Sequence, residues 1–212
     1  MKEAIKDWLR SVIDRCNDFG MQIGLDYYCF QSVIPENDAD VLIIGINPGG
    51  SGTFRYKQPD NTLSQGVNLY SVKNPHPDNL IMVGKLSRVF TSDYLKDALE
   101  DATIMNLYYF NTKDVQMLNS SLNNEVKRFC QVKTQEAMEI LNPRKIIFLC
   151  SKISELSSVG VTNVHGIGNC MKAGLWREKE IIALPNPGYY RAYSYSNGFE
   201  MGKKIEEYLN KE

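Results

Sequence analysis

Four short apolar runs punctuate the chain, separated by longer stretches in which apolar residues return every third or fourth position. Residues 2–19 place Ile5, Leu9, Val12, Ile13 and Cys16 on one helical face, with Gly20 as the expected stop. Val41-Leu42-Ile43-Ile44 is apolar without a break, the mark of a strand buried on both faces, and it runs into Gly45-Ile46-Asn47-Pro48-Gly49-Gly50. A helical stripe follows over 79–92 (Leu80, Val83, Leu86, Val89, Phe90). Beyond it the pattern predicts a strand over 103–107, a long helix over 121–141 ended by Asn142-Pro143, strands over 146–149 and 180–184, and a closing helix over 198–210. Strands that alternate with helices imply right-handed crossovers and a parallel sheet covered on both faces. The expected architecture is therefore α/β, a three-layer α/β/α arrangement with a central, mainly parallel four-stranded sheet, in one domain over 1–212. In such sheets function gathers at the carboxyl ends of the strands, which selects segments 45–54, 106–114 and 185–194.

Composition narrows this only a little. A chain of 212 residues that is 43% hydrophobic and 23% charged is neither collagen-like, disordered nor a coiled coil. No apolar run approaches the ~20 residues of a membrane helix, and MKEAIKDWLR is charged where a signal peptide is apolar, so a cytoplasmic protein without a membrane partner is expected. The net charge of −1 means that any contact with nucleic acid must come from a local basic patch. Cys16, Cys29, Cys130, Cys150 and Cys170 form no C-x-x-C pair, which argues against structural zinc, a metal cluster or a disulfide framework and for buried free thiols.

The strand-end loops lack the usual catalytic sets. GINPGGSG has no Gly-Lys-Ser/Thr ending for a phosphate loop, and Gly166-Ile167-Gly168-Asn169-Cys170-Met171 fails the dinucleotide fingerprint at its third glycine. His76 and His165 show no metal-ligand spacing, and neither a Ser/His/Asp set nor paired carboxylates stand at the strand ends. Each end carries an asparagine instead: Asn47, Asn106 and Asn186. An amide both donates and accepts but does not titrate, so it can orient water or read a base edge and cannot act as a strong general base. Asn-Pro pairs are also ordinary turn formers.

Gly45-Ile46-Asn47-Pro48-Gly49 after a buried strand, with Asn186-Pro187-Gly188 after the last strand, resembles the two signature motifs of the uracil-DNA glycosylase superfamily, closest to its mismatch-specific and single-strand-selective branches. Met105-Asn106-Leu107 stands where members carry the asparagine that reads the uracil edge, and Pro143-Arg144-Lys145 also fits. The order of elements matches over roughly 40–210, while the N-terminal helix and 55–78 match nothing specific.

The resemblance implies hydrolysis of the N-glycosidic bond of uracil, or of a related deaminated or damaged base, flipped out of DNA by a monomeric enzyme that needs no metal or cofactor. In that scheme Asn47 holds the water and Asn106 pairs with the uracil O4 and N3–H edge. Phe54 stacks on the base, and Asn186 stands where efficient relatives use histidine against uracil O2. Gly45, Ile46, Pro48, Gly49, Pro187 and Gly188 would shape the pocket. Where relatives have a phosphate-gripping serine this chain has Gly188, so that contact would move to Ser194 or Ser196, and Tyr189, Tyr190 and Arg191 would meet the base stack and the phosphates. Gly49 replaces the tyrosine that rejects the thymine methyl in the strictest relatives, which implies a broader base range. Two other readings stay open: a non-catalytic nucleic-acid or nucleobase-binding protein of the same fold, and a hydrolase of a small nucleoside or nucleotide.

Overall fold

A computed structural model describes residues 3–32, 34–50, 52–57, 68–188 and 190–211. Along these, α1 (Glu3–Ile23), β1 (Val41–Gly45), α2 (Leu80–Leu86), α3 (Asp93–Glu100), β2 (Thr103–Asn106), α4 (Val115–Ser121), α5 (Asn124–Leu141), β3 (Lys145–Phe148), α6 (Ile153–Ser158), β4 (Val161–Gly168), β5 (Met171–Trp176), β6 (Lys179–Ala183) and α7 (Tyr195–Asn210) follow in order. The four apolar runs become β1, β2, β3 and β6. All four are parallel, with β1 between β2 and β3, and with β6 beyond β3.

Their side chains alternate between two cores. Leu42, Ile44, Met105, Ile146, Phe148, Ile181 and Ala183 face a cluster built with the apolar sides of α1 and α5. Val41, Ile43, Ile104, Ile147 and Ile182 face a second cluster with residues of α2, α3 and α7. Helices thus cover both faces, which is why these strands read as unbroken apolar runs. The Trp8 indole N–H donates to the Lys133 carbonyl at 3.0 Å, tying α1 to α5.

The sheet differs from expectation in having six strands and mixed direction, in the order β2-β1-β3-β6-β5-β4. β5 runs antiparallel to β6, and β4 antiparallel to β5. Both hairpins close through two-residue turns with φ positive at each central residue: Asn169 and Cys170 at +52° and +60°, Arg177 and Glu178 at +49° and +69°. Turns of this hand match the twist of the flanking strands. The glycine-rich stretch 166–171 is therefore a hairpin tip and no nucleotide fingerprint.

Other boundaries shift for local reasons. Gly20 does not stop α1; it lies within the helix, where an added Cβ would come within 2.5 Å of the Phe54 ring, and the left-handed residue beyond the helix end is Gly24 at φ +73°. The stripe over 79–92 divides into α2 and a turn, after which Ser92 caps the separate helix α3 by accepting from the Leu95 N–H. The long helix begins at Asn124, its Asn123 cap accepting from the Val126 N–H, and α4 is a separate helix. Among the described residues no helix is long and apolar enough to cross a membrane. Four cysteines are buried and Cys170 is exposed. Burial raises the thiols of Cys16 and Cys29, and pushes that of Cys130 up to about 12.

The contact between α7 and the turn after α2 has no spare room. A Cβ at Gly202 would collide with the Val89 carbonyl, whereas one at the exposed Gly84 meets nothing within 4 Å. Gly202→Ala is expected to destabilise the protein by about 1–3 kcal/mol through overpacking. Gly84→Ala, in a helix interior, is expected to stabilise it by about 0.5–1 kcal/mol. Denaturant unfolding of both variants checks the pair, and equal signs would refute the close contact.

Candidate functional site

The carboxyl ends of β1, β3 and β6, with the loop that follows β2, open onto one cavity of about 210 Å³. Gly45, Ile46, Asn47, Pro48 and Gly49 line it from the end of β1, and Asn186, Pro187 and Gly188 from the end of β6. Tyr70, Asn79, Met82, Thr112, Lys113, Asp114, Val115 and Leu149 complete the wall. Both Asn-Pro motifs thus meet in a single space.

Two of the asparagines are held in opposite senses. Asn47 Nδ2 donates to the Thr112 carbonyl at 2.9 Å and to Thr112 Oγ1 at 3.0 Å, which commits its donors and leaves Oδ1, an acceptor. Asn186 Oδ1 accepts from the Gly188 N–H at 2.6 Å, which leaves Nδ2, a donor. One amide can take a proton-bearing partner and the other can donate to an electron-rich atom.

Asn106 is placed differently. It is fully buried, and among the described residues neither Oδ1 nor Nδ2 has a hydrogen-bond partner. It does not itself line the cavity but lies behind two residues that do: a Cβ added at Gly45 would come within 2.7 Å of the Tyr70 hydroxyl and 2.8 Å of Asn106 Oδ1. The absent side chain at Gly45 is what lets these groups converge. Burial raises the Tyr70 phenol, so it stays protonated and able to donate. Gln31 Nε2 donates to the Pro48 carbonyl at 2.9 Å and holds the loop after β1, while Gln31 Oε1 is buried without a partner among the described residues. Leaving buried polar groups unpaired costs about 1–3 kcal/mol each, a cost that a complementary ligand would remove.

The loop after β1 is pinned from beneath by a buried ion pair. Lys57 Nζ lies 2.8 Å from Asp26 Oδ1, with side-chain exposures of 10% and 6%, and sits 4.3 Å from the centre of the Tyr28 ring. Asn17 bonds both the N–H and the carbonyl of Lys57, at 2.9 and 2.8 Å. Removing one member of such a pair is far costlier than the pair itself is stabilising.

Not every expected residue arrives. Phe54 does not line the cavity; its ring lies against Gly20 of α1, and its N–H donates to the Gly24 carbonyl at 3.3 Å. The aromatic residue at the cavity is Tyr70, from a stretch that carried no motif. Ser194 caps α7 by accepting from the Asn197 N–H at 3.3 Å, and Arg191 is exposed in the short 3₁₀ turn Tyr190–Tyr193; neither lines the cavity. That turn is anchored by Tyr193, whose hydroxyl donates to the Pro185 carbonyl at 2.6 Å. Tyr189 and the side chain of Tyr190 lie outside the described residues. Gly49 has φ +75° and nothing within 4 Å of an added Cβ, so it serves the turn and also leaves open space. Arg144 pairs with Asp40 at 2.5 Å, just before β3 and remote from the cavity. Thr112 and Asp114 fall in a segment selected as a strand end, but no motif marked them.

No known protein-family model matches the chain, and no curated protein matches it.

If the Asn106 amide is kept for a ligand, Asn106→Leu removes two unpaired groups at similar volume and is expected to raise stability by about 1–3 kcal/mol. A structural asparagine would lose stability on the same change, and calorimetric unfolding separates the two. Gly45→Ala should force Tyr70 and Asn106 apart and destabilise by about 1–3 kcal/mol, read in the same measurement.

Proposed function

We propose that this chain is a three-layer α/β/α DNA glycosylase of the uracil-DNA glycosylase kind, hydrolysing the N-glycosidic bond of uracil or a related damaged base extruded from DNA. The observation that carries the reading is the buried, unpartnered amide of Asn106 behind Gly45 and Tyr70. A uracil edge supplies what that amide lacks once the wall at Gly45 and Tyr70 opens to admit it: N3–H donates to Oδ1, and O4 accepts from Nδ2. Tyr70 takes the place at the cavity wall that the sequence suggested for Phe54.

Bond cleavage leaves a cationic sugar and a uracil anion. Asn186, its Oδ1 already occupied by Gly188, presents Nδ2 to the leaving oxygen O2, where charge develops. Asn47, its donors occupied by Thr112, presents Oδ1 to the attacking water. The parallel order β2-β1-β3-β6 and the convergence of both motifs on one cavity support the same reading.

The test is single-turnover release of uracil from a labelled oligonucleotide, single- and double-stranded. The wild-type protein is expected to release the base, and Asn47→Ala to lose about 10²-fold or more in rate with binding intact. Asn186→Asp, which replaces the donor by an anion facing the leaving group, is expected to lose at least as much. Binding without release would point to a non-catalytic binding protein, and turnover of free deoxyuridine alone to a nucleoside hydrolase.

A further inference from the structure

Amides orient a water but do not take its proton, and a carboxylate placed to accept that proton would speed the attack on the sugar. Among the described residues lining the 210 Å³ cavity, Asp114 is the one carboxylate. It belongs to the same knot as Asn47: the Thr112 hydroxyl that accepts from Asn47 Nδ2 at 3.0 Å donates to the Asp114 carbonyl at 3.2 Å. Its side chain is held in one orientation, because Oδ1 accepts from the Met117 N–H at 2.8 Å as the cap of α4. Oδ2 has no partner among the described residues.

Two nearby carboxylates are already occupied: Asp26 by Lys57, and Glu155 by two partners. Glu155 lines an adjoining cavity of about 350 Å³, where Oε2 accepts from the Tyr108 hydroxyl at 2.5 Å and Oε1 from Lys152 at 3.2 Å.

We infer that Asp114 is a catalytic residue, the proton acceptor for the water that Asn47 orients, an assignment that rests on the glycosylase reading above. The bond between the sugar C1′ and uracil N1 breaks, and its electron pair leaves on the base. The water oxygen bonds to C1′, and the proton it sheds passes to Asp114 Oδ2. The uracil anion later takes a proton from solvent, and the carboxylate returns its own, so atoms and charge balance without a further reactant.

The cap and the base can be separated experimentally, since asparagine and serine cap helices as aspartate does. Asp114→Asn and Asp114→Ser should therefore unfold at the wild-type temperature and bind an oligonucleotide carrying uncleavable 2′-fluoro-2′-deoxyuridine within about twofold of wild type. Their single-turnover release of uracil should fall about 10²- to 10⁴-fold, the usual worth of a positioned acid or base. Added formate should restore part of the rate to Asp114→Ser and none to Asn47→Ala. Wild-type rates in both variants, with wild-type protein releasing uracil, would remove Asp114 and leave the glycosylase reading standing. A rate loss accompanied by weaker binding and no response to formate would make Asp114 a positioning residue and overturn its role as base. A wild-type protein that releases no uracil from any oligonucleotide overturns both.

Discussion

The candidate site depends on how closely the strands beside β1 can approach its last residue. Gly45 is in register with Asn106 across the parallel ladder, and the missing side chain there leaves room for both the Tyr70 hydroxyl and the Asn106 amide. Any larger residue would part them. The tight spacing is available because β1 sits between β2 and β3 and is buried on both faces, so its end can shift in neither direction.

That arrangement costs stability where it concentrates function. Among the described residues the Asn106 amide and Gln31 Oε1 are buried without partners, whereas the buried Asn17, Asp26 and Lys57 bond one another. The neighbourhood is held by features that do not touch the cavity: the Lys57–Asp26 pair, the clasp of Asn17 on Lys57, and the Tyr193 anchor on Pro185. Fixing loops in advance lowers the ordering cost that a ligand must meet. The asparagines owe their opposite roles to the same economy, since each has half of its hydrogen-bonding capacity consumed by its own loop.

The parallel half of the sheet was legible because Val41–Ile44 and the three runs like it are apolar on both faces, a pattern that loops and surface helices do not produce. The motif glycines and asparagines were legible as strand-end residues, and the cavity gathers both Asn-Pro loops. The antiparallel strands β4 and β5, and the turn that joins β5 to β6, were not legible. β4 is largely exposed, so it shows no apolar run, and the turn at Arg177-Glu178 holds two non-glycine residues at positive φ, which no local signal announces. Gly20 was read as a helix end because glycine usually has that role; here close packing with Phe54 explains it, and the same contact takes Phe54 from the cavity. Tyr70 arrives there only through tertiary packing. Asp114 could be read as a helix cap, but its place beside Asn47 depends on the Thr112 knot.

The hairpin also decides what the last parallel strand meets. Without β5, the backbone N–H and C=O groups of β6 would be an open edge next to Ile181, Ile182 and Ala183, a template for pairing with another chain. β5 satisfies that edge, and the exposure passes outward to β4, where it is blunted. β4 carries register shifts at Thr162/His165 and Gly166/Gly168, a left-handed Asn163 and mostly exposed side chains, all unfavourable for continued pairing. The added strands thus move the open edge of the sheet away from its apolar centre and onto a strand that is irregular and mostly exposed.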